Sequence, residues 1–267
     1  MNLDNKDKVF RLVSIISPIL VVVLWEITVR AGLLDKRFFP PPSVVIITLI
    51  EMLKTGELLD HLSISLQRIF LGFLLGAIPG VIIGMLMGWS RWIRAILDPI
   101  VAAVYPLPKL SLLPLIFIIF GIGEISKVII VALAGFFLVL LTTAHGVMNI
   151  DPVLIQAGRN YGAKGIKLFS KVILPATMPA IFNGLRLSLG ICLLVIVAAE
   201  FVAANHGIGY LIWISWSTLS VKKMYVGLIV IGALGITFTK GLEALSKWIM
   251  PWVQELDDTA SVRNQQR

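Results

Sequence analysis

Charged side chains are scarce in this 267-residue chain: Asp, Glu, Lys and Arg make up 14% of it, against about 25% in an ordinary soluble domain. Hydrophobic residues fill 58%, and the mean hydropathy is +0.94. A soluble protein of this composition would expose large apolar patches, so lipid is the solvent that suits it. The single cysteine, Cys192, excludes an internal disulfide. No spacing of His, Cys or carboxylates suggests a metal site, and no base stands in register with Ser188 for nucleophilic catalysis. No catalytic residue is therefore assigned. The net charge of +8 is spread along the chain without a basic helix or an aromatic RNA-binding signature, which sets nucleic acid aside. A Gly-x4-Gly-Lys-[Ser/Thr] phosphate loop is missing as well.

What the chain does have is long apolar runs. At about 20 residues per span, six are expected: residues 9–29, 62–88, 95–120, 128–147, 183–204 and 225–249. Residues 9–29 are too long for a signal-peptide core and lack a small-x-small cleavage site, so they read as a retained first helix. The spans make residues 9–250 one membrane domain, with an N-terminal tail (1–8) and a C-terminal tail (251–267). With the N-terminus inside, the inner segments hold twelve basic residues and the outer segments seven. The positive-inside bias thus puts both tails in the cytoplasm. Three prolines, Pro40 to Pro42, follow the first span, and Ser43 is placed to cap a short helix after them. Residues 44–59 are too short and polar to span, and fit an amphipathic helix at the outer surface.

In the second span Gly72, Gly76, Gly80, Gly84 and Gly88 recur every fourth residue and form one smooth face. Such a stripe lets another helix approach closely, either within the subunit or from a second copy. Polar residues inside spans are the candidates for a translocation path: Arg68, Thr142, Asn183, Ser188, Glu200 and Asn205. Arg68 could draw anions inward, or form a salt bridge or snorkel to the outer interface. Glu200 lies too deep to stay charged alone, which calls for Arg68 or Lys109 as partner, or for protonation.

The connection 149–179 is long and too polar to cross a bilayer. Asp151 can cap a helix N-terminus and Pro152 suits its first position. Leu154, Ala157 and Tyr161 share one face, Gln156, Arg159 and Asn160 point elsewhere, and Gly162 suits a left-handed C-terminal cap. A second helical stretch, 165–174, is expected to stop at Pro175.

The run Gln156-Ala157-Gly158, three residues, Gly162, nine residues, then Val172-Ile173-Leu174-Pro175 resembles the EAA loop of binding-protein-dependent ABC importer permeases. That pattern reads Glu-Ala-Ala, three residues, Gly, nine residues, Ile-x-Leu-Pro. Both spacings match, with Gln156, Gly158 and Val172 as departures. Further blocks, among them Phe120 to Glu124, Asn160-Tyr161-Gly162 and Ala199-Glu200 through Gly207 to Leu211, are similar to permeases of the nitrate/sulfonate/bicarbonate/taurine group. The resemblance implies an all-α type I importer fold in a bacterial plasma membrane. It also implies a second permease copy, two ATP-binding subunits that carry ATP and Mg, and an external binding protein. Residues 151–162 would then be the coupling helix gripped by the ATPase, with Leu174 and Pro175 closing the motif. Small organic sulfonates are the first substrate expectation, with nitrate, bicarbonate, aromatic carboxylates, pyrimidine precursors or riboflavin-like compounds as alternatives. A secondary transporter would need a repeat symmetry or a midplane carboxylate pair, and neither is evident.

Overall fold

The computed structural model describes residues 3–253, and these are helical with short connections. The helices are α1 (Leu3–Arg30), α2 (Pro42–Lys54), α3 (Glu57–Trp89), α4 (Arg91–Val104), α5 (Leu113–Phe120) and α6 (Glu124–Met148). They continue as α7 (Pro152–Asn160), the single turn α8 (Ile166–Leu168), α9 (Leu174–Ala203), α10 (Ile208–Ser217) and α11 (Val221–Ile249). Five are long and apolar enough to cross a membrane, and α4 with α5 makes a sixth if a bent pair counts as one span. The expected N-terminal tail is already helical from Leu3, whereas the C-terminal tail lies, beyond Val253, outside the described residues.

The bundle centre is α6, held between α3 and α9. The glycine stripe of α3 is what lets α6 in. A Cβ on Gly84 would lie 2.6 Å from the Leu140 carbonyl oxygen, one on Gly80 2.9 Å from that of Phe136, and one on Gly76 would run into Ala132. The stripe therefore meets the same chain along its whole length. Backbones this close exchange dispersion and weak Cα–H···O contacts, which drive association where lipid removes the hydrophobic term. On the other side of α6, Gly135 faces Ser188 and Cys192, and Gly184 faces Thr142.

Four expectations need correction. The apolar run 95–120 is two helices that meet at 87°. Pro106 and Pro108 lack the N–H groups that would carry α4 onward. Lys109 instead closes the break by donating to the carbonyls of Val104 (3.0 Å), Tyr105 (2.7 Å) and Leu107 (3.0 Å). Ser43 caps nothing: it sits in the first turn of α2, and its N–H (3.0 Å) and hydroxyl (2.8 Å) donate to Glu26 of α1. The carboxylate supplies the negative charge that a helix N-terminus favours. The outer helix 44–59 breaks at Gly56 (φ +82°), and α3 starts there, ahead of the expected Leu62. Finally, Pro175 does not end a helix. A π-helical turn, Phe169–Ile173, leads into α9, and Pro175 falls in its first turn, where a missing N–H is no loss.

Candidate functional site

Two constellations stand at opposite ends of the bundle. The first is α7, between the end of α6 and the start of α9. The Asp151 carboxylate accepts the Val153 N–H at 2.8 Å, and Pro152 occupies the first turn. At the other end Gly162 takes φ +80°. Its N–H donates to the Arg159 carbonyl (2.9 Å) and the Ala163 N–H to that of Gly158 (3.0 Å), which is a Schellman closure. Both stops are thus built from local sequence.

One face of α7 rests on the π turn. Gly158 is pressed there so tightly that a Cβ would lie 2.8 Å from Val172 Cγ2 and 3.1 Å from Leu168 Cδ1. The other face is bare: Val153, Leu154, Gln156, Ala157 and Arg159 are exposed, and Tyr161 is 93% exposed. Leu174 and Pro175, half-buried at the head of α9, join this platform to the bundle. The nine-residue helix therefore holds an apolar stripe rigidly outward.

The second constellation is an ionic knot at the far end. Arg68 is 3% exposed and Glu200 1% exposed, and they pair at 2.7 Å. Glu200 also accepts from the Ser65 hydroxyl (2.8 Å) and the Gly209 N–H (2.8 Å). The Arg68 guanidinium forks onto Glu124 and reaches the His206 carbonyl at 2.7 Å. Lys127 completes the set at 3.0 Å from Glu124. Ser65 accepts from the Ile208 N–H (2.8 Å), and His61 Nδ1 from the Gly207 N–H (3.1 Å). The turn 204–209 is in this way pinned to α3 and α9. A Cβ on Gly207 would strike the Glu200 carboxylate, and its φ of +126° also favours glycine. Arg68 and Glu200 are tolerable as buried charges because nearly every lone pair and proton of theirs has a partner, and the buried Lys127 is paired with Glu124.

Beside the knot lies a cavity of about 620 Å³, lined by Gln67, Arg68, Glu124, Lys127, Asn205 and His206. Of the sequence candidates for the path, Arg68, Glu200 and Asn205 thus come together. The others do not. Thr142 is half-buried and returns its hydroxyl to Leu138 (2.8 Å). Ser188 is buried and donates to the Gly135 carbonyl at 3.3 Å. Asn183 is exposed on α9. Sequence reasoning missed Glu124 and Gly209 as members of the knot. Their signal was present, since both lie in the motif blocks noted above. Among the described residues no cluster of three or more His, Cys, Asp or Glu side chains could hold a metal.

Comparison with known proteins places this geometry. The taurine transport system permease protein TauC of Escherichia coli is 35% identical over 243 residues, covering 89% of this chain and 88% of its own. SsuC of Bacillus subtilis, named for transport of aliphatic sulfonates, is 34% identical, with 90% of this chain and 87% of its own covered. A crystal structure of an amino acid ABC transporter with histidines shares the fold, with a TM-score of 0.56 at 21% identity, covering 76% of this chain and 97% of that one. The family profile of binding-protein-dependent transport system inner membrane components matches residues 80–255, and the chain belongs to that family: it is a multi-pass permease subunit of an ABC importer.

Proposed function

We propose that the chain is one of two identical permease subunits that together line the path of a small organic sulfonate. An external binding protein delivers the ligand, and a separate ATPase, which carries ATP and Mg, drives the cycle. The observation that carries this reading is α7. An apolar stripe fixed rigidly outside the bundle is what a partner's groove covers, and the chain has no phosphate loop of its own. With those of the two termini counted, the segments assigned to the α7 side of the membrane carry twelve basic residues against seven on the other side, so the positive-inside bias favours a cytoplasmic α7 end.

Motion of the ATPases would pass through α7 and the π turn into α9. Thr142 and Ser188 are taken up in contacts within the chain, so the path runs between two copies rather than through one. The sulfonate assignment rests on the names of SsuC and TauC, since taurine is itself a small organic sulfonate. It is tested by uptake of labelled taurine or an alkanesulfonate in cells stripped of their own importers and given this permease, its ATPase and its binding protein. ATP-dependent uptake that disappears in Gly158→Leu, with the permease still in the membrane, is expected. Uptake of nitrate or an aromatic carboxylate without sulfonate would overturn the substrate assignment. Uptake without the ATPase would overturn the coupling.

A further inference from the structure

At the end opposite α7, a groove of about 740 Å³ runs between the α1–α2 connection, α2 and the α10–α11 turn. Its charged lining is Lys36, Arg37, Lys222, Lys223 and Glu51. Two of the four cations are already committed. Arg37 pairs with Asp35 at 2.7 Å, and its guanidinium holds that carboxyl below the ordinary range. Lys223 pairs with Glu57 at 2.7 Å. Among the described residues neither Lys36 nor Lys222 has a carboxylate within salt-bridge distance. The groove therefore holds two uncommitted ammonium groups against one carboxylate, Glu51.

Its surroundings are those of a membrane interface. The groove lies at the outer end of the side where α1 and α11 run, whose apolar windows are only 6% and 17% buried within the chain. Phe38 and Leu219 are exposed in the groove wall. Leu219 is the one non-glycine residue with positive φ among those described (+56°), a conformation that costs a branched side chain. The neighbouring Trp213 and Trp216 lie with ring centroids 5.0 Å apart, tilted at 43°, and are both exposed, as aromatic residues at headgroup level are.

We propose that this groove seats the headgroup of an anionic phospholipid. The phosphodiester lies between Lys36 and Lys222, and the acyl chains run down beside Phe38 and Leu219. Long lysine stems suit such an arrangement, with methylenes along apolar surface and the charge at the phosphate. An acidic lobe of the external binding protein is disfavoured as occupant, because the groove opens beside exposed Phe38, Leu219, Trp213 and Trp216 and not over the polar cavity at Arg68.

The test uses the complete transporter, purified in detergent and offered equal amounts of phosphatidylglycerol and phosphatidylcholine, with retained lipid counted by native mass spectrometry. The wild type is expected to retain phosphatidylglycerol preferentially. That preference falls about fivefold for each of Lys36→Gln and Lys222→Gln, and it rises in Glu51→Gln, which removes the opposing charge. Equal retention of the two lipids, or unchanged preference in the double lysine variant, overturns the proposal. Displacement of the lipid by millimolar inorganic phosphate alone also overturns it, since the groove would then be a free-anion site. So does a double variant that binds lipid normally but binds the external protein more weakly.

Discussion

Removing Arg68 asks the most of the structure. In Arg68→Met, Glu200 keeps the Ser65 hydroxyl and the Gly209 N–H but stands as an unpaired charge at 1% exposure, and the His206 carbonyl loses its donor. Breaking a buried pair from one side costs about 3–5 kcal/mol. For a chain of this length that corresponds to a fall in Tm of roughly 6–20 °C. Glu124 adds little to the loss, because it is largely exposed and keeps Lys127. In Arg68→Met with Glu200→Gln no unpaired charge remains buried, since Lys127 keeps Glu124 at 3.0 Å, and the amide can still accept from Gly209. The double variant should therefore recover at least about 2 kcal/mol relative to Arg68→Met. The assay is thermal unfolding of the detergent-purified protein, with all four members of the cycle measured together. A single variant that costs less than about 1 kcal/mol, or a double variant no better than the single, would refute the view that the knot holds the turn 204–209.

Other outcomes follow from close contacts and caps. Gly76→Ala drives a methyl into the Ala132 carbonyl, and is expected to cost at least about 2 kcal/mol and most of the folded protein in membranes. Gly190→Ala, where the new methyl meets open space, should be neutral or stabilising by about 0.4–1 kcal/mol in the same expression and melting assays. Asp151→Ala removes the α7 cap at a cost of about 1 kcal/mol, and ATPase activity coupled to transport should drop severalfold while the spans melt unchanged.

The apolar runs showed the spans, because length and hydropathy are local properties, and the caps of α7 were legible for the same reason. Asp151, Pro152 and Gly162 act within one or two turns of themselves. The break between α4 and α5 was written in Pro106 and Pro108, but the surrounding run is apolar enough to mask two short helices as one span. The ten residues of α10 escaped notice because a segment so short and uncharged has no amphipathic period and cannot reach across a bilayer. For Glu200 the sequence required a partner and named Arg68 among two. Its remaining ligands come from Ser65, 135 residues away, and from the backbone of Gly209 beyond the turn. Only the fold brings such groups together. The glycine stripe shows the same limit, since its spacing demanded a close helix without saying whose.

Coupling through α7 is open to a direct measurement, because the native Cys192 is buried and leaves a quiet background. With Leu154→Cys in the assembled transporter, the account predicts that a short bifunctional thiol reagent joins the permease to the ATPase subunit, and that an impermeant maleimide outside the cell leaves this cysteine unlabelled. Labelling from outside, or no crosslink to the ATPase while transport proceeds, would contradict it.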